Sequence, residues 1–450
     1  MNLFEIASPE EKVDERASIY AYSIGNLQEV LKKELEKNEM LELFNNIEMP
    51  VLEVLADMQY RGMYVDKEEL IKYGDELKVK LEKAKANNDE YEIHELAGEE
   101  FNINSPKQLG EILFEKLKLP VVKKTKSGYS TDVDTLEKLQ SEHEIIDYIL
   151  DYRQLAKLNS TYVEGLIPYI NKNTDRIHSY FHQTVTATGR ISSTEPNLQN
   201  IPTRIEIGKK LRKVFKPAES KVFLDADYSQ IELRILAHVS KDEIMIDNFN
   251  NDEDIHAQAA SRVFGVPIDE VTKELRSKAK AVNFGIVYGI SDFGLAGQIH
   301  SSRKEAKQYI EQYLEKYHGI REFMTTAIED AKEKGFSATM YNRRRYIPEL
   351  KSKNFMVRKF GDRVAMNTPI QGSAADIMKI AMINVYRKLK EENLNSKLVL
   401  QVHDELLIET DISEKDRVKE ILIFGMESAA KLSVPLKVEV EEGKNWYDAK

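Results

Sequence analysis

The chain has 450 residues, 42% hydrophobic and 31% charged, with no cysteine and a formal net charge of −11. This composition excludes a disordered chain, a disulfide-stapled domain and thiolate metal sites, leaving carboxylates, histidines or substrate to hold any metal and favouring hard cations such as magnesium. No run approaches the roughly eighteen apolar residues of a membrane span, and the segment after Met1 is no signal peptide, so a cytoplasmic chain of two to four domains or subdomains is expected.

Ser8-Pro9-Glu10-Glu11 has the form of a capping box with proline at the first helical position, and roughly thirty residues after it read as an acidic, amphipathic helix. From Asp66 to about Ala86, the apolar residues Leu70, Tyr73, Leu77, Leu81 and Ala84 recur amid Lys and Glu, predicting a long, largely exposed helix and a protruding arm. Ser105-Pro106 and Thr131-Asp132-Val133-Asp134 are further helix starts, and the helical period continues to about Lys172. Strand signals come later. Lys221-Val222-Phe223-Leu224 precedes an acidic cluster, Lys397 to Glu409 reads as two short strands about a turn, and Leu436, Val438 and Val440 alternate with Lys437, Glu439 and Glu441. Between the first two lies a mostly helical block of roughly 250 to 390, so the expected fold is α+β, a small sheet interrupted by a helical insertion. The basic runs Lys209-Lys210-Leu211-Arg212-Lys213, Arg343-Arg344-Arg345 and Lys351 to Arg363 read either as the lining of an anion-binding groove or as solvated faces.

In Asp225-Ala226-Asp227-Tyr228-Ser229-Gln230-Ile231-Glu232, an apolar strand ends in two carboxylates that share a face at period two. Val402-His403-Asp404-Glu405 puts a second carboxylate pair at a turn between apolar strands. Side by side, two such tips make an oxygen-rich pocket suited to two magnesium ions about 4 Å apart, a device for phosphoryl transfer. Position alone does not choose between Asp225 and Asp227, nor between a polymerase and a two-metal nuclease. The discriminating segment runs from Arg276 to Gly289. Its Arg276, Lys280, Phe284 and Tyr288 stand four apart and drift about 120° around a helix, so that two cations are followed by two aromatics on one face. Such a face grips a triphosphate and stacks a base, or else is an amphipathic helix with core aromatics.

The strand from Asp227 to Arg234, the stripe helix, and Gln401-Val402-His403-Asp404-Glu405 resemble motifs A, B and C of the family A DNA polymerases, in the family's order. Thr188-Gly189-Arg190-Ile191-Ser192-Ser193 continuing to Pro202 resembles the primer-template contact segment. Asp254-Ile255-His256, Asn367-Thr368-Pro369-Ile370-Gln371-Gly372 and Asn445-Trp446 resemble family positions as well, and the likeness extends from about Asn46 to Lys450. Gly361-Asp362-Arg363 departs from it, since many relatives have Glu before the arginine.

The resemblance implies a right-hand fold with an antiparallel-sheet palm (46–66, 176–249 and 391–450), a helical thumb (67–175) and helical fingers (250–390). Residues 1–45 would be the remnant of a region joining an exonuclease-like domain, too short to fold a nuclease, so proofreading and 5′ nuclease activity are expected to be absent. It further implies template-directed addition of dNTPs to a primer, in replication and repair, by a monomer at the nucleoid. Asp227, Asp404 and the Tyr228 carbonyl would hold two Mg2+ ions, for which Mn2+ substitutes; Glu405 would support them, and Asp225 would be structural. His256, Arg276, Lys280, Phe284, Tyr288, Gln230 and Glu232 would bind the nucleotide. Lys280 would also protonate pyrophosphate, Glu232 would bar a ribose 2′-hydroxyl, and Phe284 would disfavour dideoxynucleotides. Arg190, Gln199, Asn200, Asn367, Gln371, His403 and Arg363 would approach the primer-template, with Arg190, Asn367 and Gln371 donating to minor-groove acceptors that every correct pair offers. A single-subunit RNA polymerase would not be expected to keep Glu232 in this frame, a nuclease has no use for the stripe, and a silent binding module would tolerate loss of Asp227 or Asp404.

Overall fold

A computed structural model of the chain describes residues 9–86, 89–125, 128–202 and 205–450. Its central element is a four-stranded antiparallel sheet in the order Lys397–Val402, Glu405–Asp411, Lys221–Tyr228, Val438–Gly443. The central strand pairs from Lys221↔Asp411 to Asp227↔Glu405 on one side and from Phe223↔Gly443 to Tyr228↔Val438 on the other. Alternation divides its side chains between the two faces. Val222, Leu224, Ala226 and Tyr228, with Leu406 and Ile408, turn toward the helix Lys415–Glu427, to which the Tyr228 hydroxyl donates at 2.7 Å through the Met426 carbonyl. Phe223, Asp225 and Asp227 lie on the opposite face, level with Leu407 and Glu405.

The helical insertion joins the central strand to the hairpin, as the sequence predicts, and ends in a single helix, Phe355–Glu391. That helix runs through Pro369, which has no N–H to give the carbonyl four residues earlier. The missing donor is replaced from outside, because the Ser337 hydroxyl donates to the Ala365 carbonyl at 3.0 Å. Farther along, the fully buried Asp376 accepts from the Arg343 Nε at 2.8 Å and from the Thr339 hydroxyl at 2.7 Å, and the buried Lys379 donates to Glu48 at 2.6 Å. Arg343 also pairs with Glu48, so this network fastens the segment before the helix Met49–Arg61 to the long helix. Gly189 closes on it from above. With φ of 82°, it sits where a Cβ would come within 2.5 Å of the Arg343 Nε, a position only glycine fills without displacing the network.

Three expectations change. Helix Lys67–Ala86 is not a free arm: Leu70, Tyr73 and Leu77 are buried in the main core together with Leu158, Tyr162 and Val163, and Gly74 allows the close approach to Val163. The sequence shows an apolar stripe but not the segment that covers it. Strands also occur before residue 221 and inside the helical block, among them Arg176–Ile177, Tyr180–His182 and Phe336–Ala338, which are too short to carry a period-two signal. The basic runs are divided by the fold: Lys210, Lys351, Lys353 and Lys359 stay exposed, whereas three arginines turn inward. Arg343 lies in the network above, Arg344 bonds Asn38 at 2.9 Å and stacks over Phe336, and Arg212 is buried over Trp446.

Ser105 and Asp132 cap their helices, accepting from the Gln108 and Thr135 amides. The leading helix spans Pro9–Lys37, whereas Ser8 of the expected capping box falls outside the described residues. Residues 93 to 149 close a second, separate apolar cluster around Ile93, Leu109, Leu113, Leu139 and Ile146. Among the described residues no helix is long and apolar enough to cross a membrane. Because Ser337 supplies the donor that Pro369 lacks, Ser337→Ala should orphan a carbonyl and lower stability by about 1–3 kcal/mol. A denaturation midpoint equal to that of the unmodified chain would show that the carbonyl finds another donor.

Candidate active site

The hairpin between Lys397–Val402 and Glu405–Asp411 turns on two residues, His403 with φ of 51° and Asp404. The Tyr228 amide donates to the Asp404 carbonyl at 3.1 Å, which ties the hairpin tip to the end of the central strand and brings Asp404 beside Asp227. Burial pushes the Asp227 carboxyl up to about 6, and the neighbouring Asp404 charge adds to the effect. Asp404 is raised as well, chiefly by burial. Glu405 and Asp225 lie deeper, at 3% and 4% exposure. Both Asp225 oxygens and one oxygen each of Asp227 and Glu405 are buried without a hydrogen-bond donor. These bare hard oxygens are the ligand type a magnesium-class cation takes.

The cluster is balanced from behind and from above. Arg212, almost wholly buried, lies 3.9 Å from Glu405 and stacks 4.1 Å over the ring of Trp446. Lys450 pairs directly with Glu405 and reaches Asp227 at 3.8 Å. Asp225 is nevertheless pushed up to about 7, because burial outweighs Lys450 and Arg212. One cleft of about 480 Å³ is lined by Gln199, Asn200, His403, Asp404, Glu405 and Lys450, among others.

The stripe helix spans Lys273–Val287, capped by the Thr272 side chain. Arg276 donates to Asp254 at 2.6 Å, and Asp254 in turn caps the helix Ile255–Phe264 by accepting from the His256 and Ala257 amides. His256 packs 5.8 Å from Phe284. Burial, followed by the Arg276 charge, lowers it to about 4, so it is neutral at pH 7. The Asn283 side-chain amide shares a hydrogen bond with His256 Nδ1 at 2.9 Å, which engages that nitrogen and leaves Nε2 as the one to meet a ligand. Lys280 is exposed and has no carboxylate partner among the described residues.

Glu232 joins this helix to the carboxylate strand. Its buried carboxylate accepts from Arg190 at 2.6 Å and from the Tyr288 hydroxyl at 2.7 Å. Gln230 stands just before it with φ of 56° and a buried side-chain oxygen without a donor. Arg363, Asn367 and Gln371 fall four apart on the long helix and are partly exposed where most of its neighbouring residues are buried. Asn367 donates to the Val287 carbonyl at 3.2 Å, and Arg363 lies against Gly289. Asp362, in the segment that departs from the family pattern, pairs with Lys359 at 3.1 Å and Lys332 at 3.7 Å. The Gln199 amide is held by Gln401 at 3.1 Å, and Gln401 bonds the His403 carbonyl at 2.7 Å, so Gln199 braces the hairpin tip from below. The exposed Asn200 accepts from Tyr162 at 2.6 Å through its carbonyl.

Sequence reasoning missed Asn283, Arg212 and Lys450. Asn283 lies three residues after Lys280, off the stripe, and only the packing of two helices shows its partner.

Raised carboxyls carry a signed consequence. From about pH 4 upward, Asp227 keeps its proton in the folded chain until about pH 6 and Asp225 until about pH 7, whereas both ionise when the chain unfolds, so their contribution to stability falls as pH rises through these windows. Without divalent cation, Asp225→Asn should flatten the decline of the denaturation midpoint between pH 4.5 and pH 7.5, and an unchanged slope would remove Asp225 as its source.

The family model described as DNA polymerase family A matches residues 68–448. The chain is 53% identical over 444 residues to DNA polymerase I of Bacillus subtilis (strain 168), an alignment covering 98% of this chain and 50% of that protein. It is 55% identical over 427 residues to DNA polymerase I of Caldicellulosiruptor bescii, covering 95% and 50%. The chain thus spans about half the length of these curated relatives. A solved structure described as the POL domain of Pol1 from M. smegmatis in complex with DNA primer-template and dNTP matches with a TM-score of 0.90 at 42% identity, over 95% of this chain and 75% of that one. The fold is accordingly the right-hand polymerase fold, and the chain belongs to DNA polymerase family A.

Proposed function

We propose that the chain is a template-directed DNA polymerase that adds dNTPs to a primer 3′ end with release of pyrophosphate, by two-metal-ion phosphoryl transfer, in replication and repair. It acts as a monomer on primer-template DNA in the cytoplasm, at the nucleoid. The observation that carries this reading is the hydrogen bond from Tyr288 to Glu232, which makes the cationic and aromatic stripe and the carboxylate strand parts of one site. A nuclease needs only the carboxylates. The domains follow the hand, with a palm at 46–66, 176–249 and 391–450, a thumb at 67–175 and fingers at 250–390.

Asp227, Asp404 and the Tyr228 carbonyl would hold two Mg2+ ions, or Mn2+ in their place, with Glu405 in support; the unpaired oxygens of Asp227 and Glu405 fit that role. When bound, the ions supply activation of the primer 3′-oxygen and neutralisation of charge on the departing pyrophosphate. Arg276 and Lys280 grip the triphosphate, His256 donates from Nε2 to a phosphate oxygen, and Lys280 delivers a proton to the leaving group. Phe284 stacks on the incoming base. Glu232, held on both sides by Arg190 and Tyr288, is fixed where its side chain occupies the space a ribose 2′-hydroxyl would take. Gln230 lies beside it. Arg190, Asn367, Gln371 and His403 read the geometry of the new pair from the minor groove, while Arg363, Gln199 and Asn200 flank the primer-template.

Extension of a labelled primer on a DNA template with magnesium tests the proposal. Templated extension should occur with dNTPs and not rNTPs, and Asp404→Asn should lower its rate by at least about 10³-fold while primer-template binding is kept. Undiminished extension by the variant, or cleavage without nucleotide, would overturn it. Phe284→Tyr adds a hydroxyl near the incoming sugar. It should raise dideoxy over deoxy use by roughly five- to tenfold, the equivalent of one hydrogen bond of about 1 kcal/mol, in competition assays. An unaltered ratio would separate Phe284 from sugar selection.

A further inference from the structure

Lys450 stands where the carboxylates converge. Its ammonium pairs with Glu405 Oε2 and lies 3.8 Å from Asp227 Oδ2, while Asp404 and Asp225 complete the cluster around it. The segment that delivers it is firmly anchored. Trp446 is wholly buried, edge-on to Phe215 at 5.7 Å, and its amide donates to the Phe215 carbonyl at 3.0 Å. Ala449 is buried too, and its amide donates to the Asn445 carbonyl at 3.2 Å. The Lys450 side chain, by contrast, is 39% exposed and carries its charge on a flexible four-carbon stem. A fixed backbone therefore holds a movable cation over the cluster.

We propose that Lys450 is the resident counter-cation of the carboxylate cluster and competes with the divalent cation for the same oxygens, so that it sets divalent-cation affinity. The inference rests on the reading of Asp227 and Asp404 as metal ligands. At Glu405 Oε2 the ammonium donates into lone-pair density that a coordinated cation requires, and 3.8 Å from Asp227 Oδ2 its charge takes the space such a cation would occupy. Entry of the ion requires the stem to swing toward solvent. The guanidinium of Arg212 is fixed by its stacking on Trp446 and stays, which leaves Lys450 as the exchangeable charge.

Two consequences of opposite sign follow from removing the ammonium. The cluster loses a competitor and becomes more negative, so it binds a divalent cation more tightly, but in the absence of that cation its carboxylates repel one another with less compensation. A purely structural lysine would lower stability at every metal concentration and leave affinity alone.

Binding of Mn2+ to the full chain, read from the electron paramagnetic resonance of free Mn2+ without nucleotide, tests this alongside thermal midpoints with and without Mn2+. Lys450→Met should tighten Mn2+ binding by about tenfold or more. Its midpoint should fall without the ion and return to that of the unmodified chain at saturation. Lys450→Arg, which keeps a cation, should bind Mn2+ as the unmodified chain does. Equal or weaker Mn2+ binding by Lys450→Met would overturn the proposal even if Asp404→Asn abolishes binding. Undiminished binding by Asp404→Asn would instead overturn the metal-ligand reading, and the proposal with it.

Discussion

The repulsion among four carboxylates is the constraint around which the rest of the structure is arranged. Asp225, Asp227, Asp404 and Glu405 would not converge in a flexible chain, because each pair of like charges in a desolvated cleft disfavours the other. Sheet register forces them together. Glu405 faces Asp227 across the ladder, and the Tyr228 amide holds the Asp404 carbonyl, so backbone hydrogen bonds fix the positions of the charged groups. Arg212 and Lys450 then supply compensation, the first rigid and buried, the second movable and partly exposed.

Holding such a site requires stiffness in the elements that flank it. The long helix provides this only because its weaknesses are met from outside: Ser337 replaces the donor missing at Pro369, and Arg343 with Lys379 joins Asp376 to Glu48. Breaking a buried network of this kind on one side leaves an uncompensated charge, which is why its members are fixed by one another rather than by solvent. The same Arg343 seats Gly189, and the residue after Gly189 is Arg190, which holds Glu232. Packing in the interior is thereby transmitted, contact by contact, to the site.

Much of this was legible in the sequence. The apolar run before the acidic cluster gave the central strand, period-two alternation after Leu436 gave its neighbour, the turn at His403-Asp404 gave the hairpin, and the four-residue spacing from Arg276 to Tyr288 gave a helix face that bears on the site. What was not legible depends on contacts between distant segments. Lys67–Ala86 read as an arm because its covering residues, Leu158 to Val163, lie some eighty positions away. The bracing of the hairpin by Gln199 through Gln401 joins residues about two hundred positions apart. Lys450 is one lysine among many, and no local pattern announces that it ends over three or more acids.

Charge runs were the least reliable signal, for a physical reason. For a protein of net charge −11 that is proposed to bind an anionic polymer, the simplest expectation is that its clusters of Lys and Arg lie at the surface. Several are instead interior: Arg343 neutralises Asp376 and Glu48, Arg344 is tied to Asn38, and Arg212 lies over Trp446. Among the cations assigned to the nucleotide and the primer-template, Arg276 and Lys280 stand on one helix and Arg363 on another, with polar or aromatic residues completing each face. A triphosphate and a nucleic-acid groove are better served by this arrangement than by a dense patch. Under the proposed function each charge would meet one phosphate at a defined place, and the acidic remainder of the surface would disfavour binding elsewhere.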